Sequence, residues 1–142
     1  MHDHLLESDK YSIRIYPSIQ YLEYHIKPGA TIELQDAIKA KKDVLRLCPD
    51  HKFFVLVEST EFFNVTREAR TVTATKEFSD NTICVAVCTS HFSVAMLGEL
   101  YIKLYKPFVP TKVFSNRHAA KGWLTRQMKL TMPELEKSWL TL

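Results

Sequence analysis

The densest group of chemically able side chains is Thr89-Ser90-His91, where an apolar run gives way to a helical pattern. An imidazole there can titrate near neutral pH, the two hydroxyls can donate or accept, and N–H groups at a helix start can hold an anion. Glu58 and Ser59 end an earlier apolar run, Phe53 to Val57, and join the group if the two runs are neighbouring strands. These five residues are the candidate site for a ligand or partner. Adjacent Ser and His do not by themselves make a nucleophile–base pair. The sequence holds no HExxH, CxxC or G-x-S-x-G spacing. No catalytic residue is therefore assigned, no enzyme is expected, and neither a metal nor a cofactor is expected. The plain alternative for Thr89 to His91 is a capped helix beside an exposed histidine.

The remaining chemistry is sparse. Cys84 and Cys88 stand four positions apart in an apolar run. On a strand that spacing is about 13 Å, too long for a disulfide or for one shared metal ion. With Cys48 they read as small buried hydrophobes. The three glycines are scattered, so no phosphate-cradling loop exists. A length of 142 residues suits one domain, and 46% hydrophobic with 25% charged residues suits a globular one. With 19 Lys+Arg against 16 Asp+Glu, the net charge of +3 gives no basic excess for nucleic acid. Arg117, Lys121, Arg126 and Lys129 read as the solvated face of a helix. No apolar run approaches the ~20 residues of a membrane span. The start, MHDHLLESDK, lacks a basic region followed by an apolar one. A cytoplasmic protein without a membrane span is expected.

The elements that must position these residues can be read in order. Residues 1–10 are expected to be a flexible N-terminus, 11–128 a single domain, and 129–142 a tail with a possible short helix. Tyr11, Ile13 and Ile15 alternate with polar residues, as do Leu22, Tyr24 and Ile26 after the Pro17 break, which predicts an antiparallel hairpin. His25 falls on its polar side, a solvated position. Thr31 is the expected cap of an amphipathic helix carrying Leu34, Ala37, Ile38, Val44, Leu45 and Cys48 on one stripe. Phe53 to Val57 and Ile83 to Val87 are continuous apolar runs, which predict central strands covered on both faces. Arg67 to Phe78 alternates like a strand in part, but a crossover between parallel strands predicts a helix.

The helix after Thr89 or Ser90, either of which can cap it, runs to Pro107. Met96, Leu100 and Leu104 form one row with Leu97, Tyr101 and Tyr105 beside it, and Phe92, Val94 and Ile102 widen the arc. Burial over more than half its girth is expected. These residues read as core, the alternative being the wall of a pocket. Gly98 inside the helix predicts a close approach by a neighbour or ligand. Lys112 to Phe114 is an expected edge strand. Ser115 is the expected cap of a helix with Ala119, Ala120, Trp123, Leu124 and Met128 inward. Leu135, Trp139 and Leu142 line one side of the tail, to dock on their own domain or on a dimer mate. The order is β-β-α-β-α-β-α-β-α: an α/β fold with a mixed sheet, an N-terminal antiparallel hairpin and then alternating α and β.

The strand order and the phrases FFVLVES and AVCTSHFSVAMLGELYIKLYKPFVPTKVFSNRHAAKGWL resemble the SpoIIAA-like, or STAS-like, domains over about Tyr11 to Met128. These are relatives of the bacterial anti-sigma-factor antagonists, akin in structure to the lipid-binding CRAL-TRIO fold. The resemblance implies a SpoIIAA-like sandwich and a non-enzymatic regulatory module that binds a protein partner. In the antagonists an aspartate-serine-serine-glycine motif after the third strand carries a phosphorylated serine. The matching stretch is Asn64-Val65-Thr66-Arg67, where Thr66 alone keeps a hydroxyl and Arg67 replaces the glycine. Thr66 is thus the candidate phospho-acceptor by resemblance, and by its own chemistry a helix cap. Beside the protein-interaction reading stand a binding protein for a lipid or other apolar small molecule and, last, an enzyme using His91. A homodimer is also open.

Overall fold

The computed structural model describes residues 2–140. In chain order the elements are β1 (His4–Glu7), β2 (Tyr11–Tyr16), β3 (Tyr21–Ile26), β4 (Thr31–Ile32), α1 (Leu34–Leu47), β5 (Phe53–Ser59), β6 (Asn64–Val65), α2 (Arg67–Thr73), β7 (Thr82–Thr89), α3 (Phe92–Tyr105), β8 (Thr111–Phe114), α4 (Arg117–Thr131) and α5 (Glu136–Trp139). One six-stranded sheet runs β1-β2-β3-β5-β7-β8, and β4 and β6 form a separate short pair. Contacts among β1, β2 and β3 are antiparallel, and the rest of the large sheet is parallel. The two continuous apolar runs became the central strands β5 and β7, and β8 lies at the edge. The fold is the α/β mixed sheet expected, with one strand more at its front.

That extra strand, β1, lies where the sequence predicted a flexible N-terminus. It pairs with β2 along its whole length, from His4 opposite Ile15 to Glu7 opposite Ser12. Two adjacent leucines give no alternation to read, so the pairing comes from β2, whose buried Ile13 and Ile15 fix it to the core. Met1 lies outside the described residues. The turn after β3 uses Gly29 at φ +73°, a conformation that costs glycine nothing.

Three helix starts differ from the expected caps by a residue or two, and α2 ends five residues short of Phe78. Thr31 is drawn into β4, and α1 instead starts on a capping box in which Glu33 and Asp36 serve each other's backbone N–H. Thr66 does cap α2, accepting from the Ala69 N–H at 3.3 Å. α2 stops at Thr73, short of Phe78. Beyond it the Thr75 and Ser79 hydroxyls take the carbonyls of Val72 and Thr75, competing with helix continuation. Asn116, not Ser115, caps α4 through the Ala119 N–H at 2.8 Å. His91 occupies the cap position of α3 without a side-chain bond.

The two faces of the sheet are packed differently. On one, α4 and α5 bury Ala120, Trp123, Leu124, Met128 and Trp139 against Tyr21, Phe54, Leu56, Cys84, Ala86 and Cys88. The tail is therefore docked on its own domain: Trp139 meets Phe54 and Tyr21 edge-on, at 5.1 and 5.5 Å, and donates its Nε1–H to the Ile19 carbonyl at 2.9 Å. Leu142, expected on the same stripe, lies outside the described residues.

The other face carries α1, α2 and α3, and α3 corrects the expectation of broad burial. Phe92 is 77% exposed, Leu100 45% and Leu104 67%, while Val94 is buried. Gly98 is where the helix meets β8: a Cβ there would stand 2.9 Å from Val113 Cγ2. The helix rests on the sheet through that narrow approach, and the predicted inward row Met96–Leu100–Leu104 faces out.

Candidate functional site

The sheet divides the five predicted site residues. Ser59 and Thr89 end neighbouring strands in direct register. Both are buried, and the Ser59 hydroxyl donates to Thr89 Oγ1 at 3.2 Å. Thr89 Oγ1 also accepts the His91 N–H at 3.1 Å, ordering the turn into α3. Ser90 is exposed, and the His91 ring stands edge-on to Phe62 at 5.7 Å. Glu58, one residue from Ser59, points to the opposite face by strand alternation. Ser59, Thr89 and His91 thus order the turn into α3, Ser90 stands exposed beside them, and Glu58 lies on the opposite face of the sheet.

Glu58 belongs to an ionic cluster with His25 and Arg117, both expected on solvated faces. His25 sits in register with Glu58 on the paired strands β3 and β5. Its Nε2 lies 2.8 Å from Glu23 Oε1 and its Nδ1 3.3 Å from Glu58 Oε1. Arg117, in the first turn of α4, forks to Glu58 Oε1 at 2.8 Å and to Glu23 Oε2. The Tyr21 hydroxyl donates to the same Glu23 oxygen at 2.5 Å. Glu23 is buried, which pushes its pKa up. The hydrogen bonds from Tyr21, His25 and Arg117 outweigh that push and hold the carboxyl below its ordinary range. The signal that could have found the cluster is Tyr21-x-Glu23-x-His25, one strand face with three polar groups, but its meaning depends on the β3–β5 pairing.

Chemically this cluster is closed on itself. Each carboxylate is occupied by protein donors, and Cys88 beside Glu58 has a thiol that burial and the carboxylate push up to about 11. Such a thiol is a poor nucleophile at neutral pH. Burial likewise raises the Cys84 thiol to about 12. The cluster fastens α4 to the carboxyl ends of β3 and β5.

The space for a ligand is on the other face. Between the sheet and α1, α2 and α3 lies a cavity of about 320 Å³, inside the range of small-molecule sites. Its floor is Tyr24, Val57, Val85 and Val87, and its wall toward α3 is Leu97, Gly98 and Tyr101. Val57, Val85 and Val87 stand in the two central strands yet are only half-buried. Leu56 and Ala86, their neighbours on the α4 side, are fully buried. Of the residues expected to line a pocket, Leu97 and Tyr101 do so. Met96, Leu100 and Leu104 do not, and Tyr105 stacks on Tyr101 and accepts from Arg70 Nε at 3.2 Å.

Most of the cavity's surface is apolar, and several polar side chains border it, Asp36, Asn81 and Thr82 among them. The Tyr24 hydroxyl has no protein partner among the described residues, and burial pushes its pKa up. Lys41 lines the cavity but is committed to Asp80 at 2.7 Å and to the Phe78 carbonyl. Arg70 lines it as well, donating from Nη1 to the Val65 carbonyl at 2.9 Å. Among the described residues no group of His, Cys, Asp and Glu could hold a metal ion, and no helix is long and apolar enough to cross a membrane.

A mixed sheet with one sealed face and one cavity-bearing face, helices on both sides and an antiparallel front defines a SpoIIAA-like α/β module. The chain belongs to the family described as Domain of unknown function (DUF7793), whose model matches residues 18–128. Among solved structures it is similar to an uncharacterized protein from the DUF3478 family, with a SpoIIAA-like fold, from Shewanella loihica PV-4. The TM-score is 0.54 and the identity 12%, over 87% of this chain and 92% of that one. That likeness is one of fold, and it bears out the SpoIIAA-like resemblance read from the sequence. A comparison with curated proteins finds no match.

Proposed function

We propose that this chain is a non-enzymatic binding module whose ligand is an apolar small molecule held between the sheet and α3. The observation that carries the reading is the half-burial of Val57, Val85 and Val87 in the middle of the sheet, over a cavity of about 320 Å³. Central-strand valines are ordinarily covered, and burying apolar surface against a ligand supplies about 25 cal/mol per Å². Decanol, a simple apolar probe, is expected to raise the melting temperature. The stabilisation is about 2.7 kcal/mol at about 100 times its Kd. Val57→Phe fills the floor and is expected to abolish the shift while the variant stays folded. Absence of any shift in the wild type, or a shift unchanged in Val57→Phe, would refute the reading.

A second reading is favoured by the outer face of α3. Phe92, Met96, Leu97, Leu100 and Leu104 expose apolar surface along one helix, the kind of patch that marks an interface. The occupant that fits is a second copy of this chain. Glu99 and Lys103 carry no ion pair among the described residues. Antiparallel packing about a two-fold axis sets Glu99 of each copy near Lys103 of the other, as a self-complementary interface requires. Light scattering at high micromolar concentration is expected to give a dimer mass for the wild type and a monomer mass for Leu100→Glu. A monomeric wild type sinks this second reading. The protein-partner and regulatory roles implied by the family resemblance would act through the same helix. Thr66 remains a proposed phospho-acceptor only in the sense that its hydroxyl, which caps α2, is partly exposed.

A further inference from the structure

Resting on the cavity reading above, we propose that the ligand carries a carboxylate head and that Arg70 is its anchor. Two of the cavity-lining residues are cations, and they differ in one respect. Lys41 has Asp80 as counter-ion, whereas Arg70 has no acid partner among the described residues. Its guanidinium is nevertheless fixed in place. Nε donates to the Tyr105 hydroxyl at 3.2 Å, Nη1 donates to the Val65 carbonyl at 2.9 Å, and the group lies over the Tyr105 ring at 5.5 Å. Nη2 has no protein partner among the described residues, and a guanidinium has more N–H donors than these two bonds use.

A held guanidinium without an acid partner, half-buried on the wall of a largely apolar cavity, is well suited to an anion. The remaining N–H groups share one plane, which matches the two oxygens of a carboxylate. The wall's carboxylate, Asp36, is paired with Lys10 at 2.6 Å, and Leu97, Val57, Val85 and Val87 offer contact to a hydrocarbon chain. The Tyr24 hydroxyl, without a partner among the described residues, also lies on that wall, on the sheet side. The chemistry so defined is a medium-length aliphatic carboxylic acid bound as its anion.

The test compares dodecanoate, dodecyl phosphate and dodecanol on the full chain by titration calorimetry. Wild type is expected to bind dodecanoate about tenfold more tightly than dodecanol, the size of one charge-assisted contact. Arg70→Gln is expected to bring the two to equal affinity while dodecanol binding is retained, which also shows that the variant cavity is intact. Arg70→Lys, which keeps charge but not the fork, is expected to fall between. Equal affinity of the two probes for wild type overturns the anchor and leaves the cavity reading standing. Failure of every probe to bind overturns the cavity reading itself. Tighter binding of dodecyl phosphate than dodecanoate, lost in Arg70→Gln, overturns the carboxylate assignment.

Discussion

Arg117→Ala is expected to destabilise the fold by about 3 kcal/mol, read as a drop in the urea midpoint at neutral pH. Removing one member of a buried ionic group typically costs about 3–5 kcal/mol, because the other charge is left buried. The lower end applies here, since the Arg117 side chain is 40% exposed while Glu23 is almost fully enclosed. The variant keeps the Tyr21 and His25 contacts to Glu23 but loses its full opposite charge. The pH dependence carries the diagnosis. In the wild type the folded Glu23 pKa lies below its unfolded value. Its stabilising contribution is therefore present above the ordinary glutamate range, about 4.3, and is lost as pH falls through the folded value. In Arg117→Ala, protonating Glu23 removes the uncompensated charge. The stability gap between the two proteins should then narrow as the pH falls from neutral toward 4. A gap independent of pH would show that Arg117 acts through packing of its stem, not through Glu23.

Trp139→Ala is the second large effect, also about 3 kcal/mol or more, in line with truncation of a buried tryptophan. The side chain is the keystone between the tail and the sheet. It touches Phe54 on β5 and Tyr21 on β3 and bonds the Ile19 carbonyl in the turn between β2 and β3. Two edge-to-face ring contacts add to the area it buries. Because Tyr21 also serves Glu23, the two substitutions are expected to be non-additive. A loss of unfolding free energy of less than about 1 kcal/mol would mean that α5 is not held on the domain in solution.

Much of the architecture was legible because pattern and burial agree where a strand is covered on both sides. FFVLV and ICVAV could hardly be anything but central strands, and Trp123, Leu124 and Met128 could hardly face water. Legibility failed where a residue's meaning depends on its partner. Glu23, His25 and Arg117 look like ordinary surface charges until β3 is laid beside β5 and α4 is brought over them. β1 has too short an apolar pattern to announce itself and exists because β2 offers it an edge. α3 shows the opposite failure. Its apolar residues were read correctly as apolar, but a sequence does not state whether anything fills the space beneath them or covers the side beyond. The Thr89–His91 group was rightly placed at the end of a central strand. Glu58, grouped with it, could not be put on the correct face without counting alternation through Ser59.

The cavity beneath α3 has a consequence for volume. Where water does not fill the partly enclosed space of about 320 Å³, unfolding abolishes that void, so the unfolded chain with its hydration occupies less room and hydrostatic pressure favours it. A molecule seated over Val57 and Val87 removes that advantage. The side chains proposed to set affinity for an apolar ligand would therefore also set the compressibility of the native state, and ligand occupancy would be written in the protein's response to pressure as well as to heat.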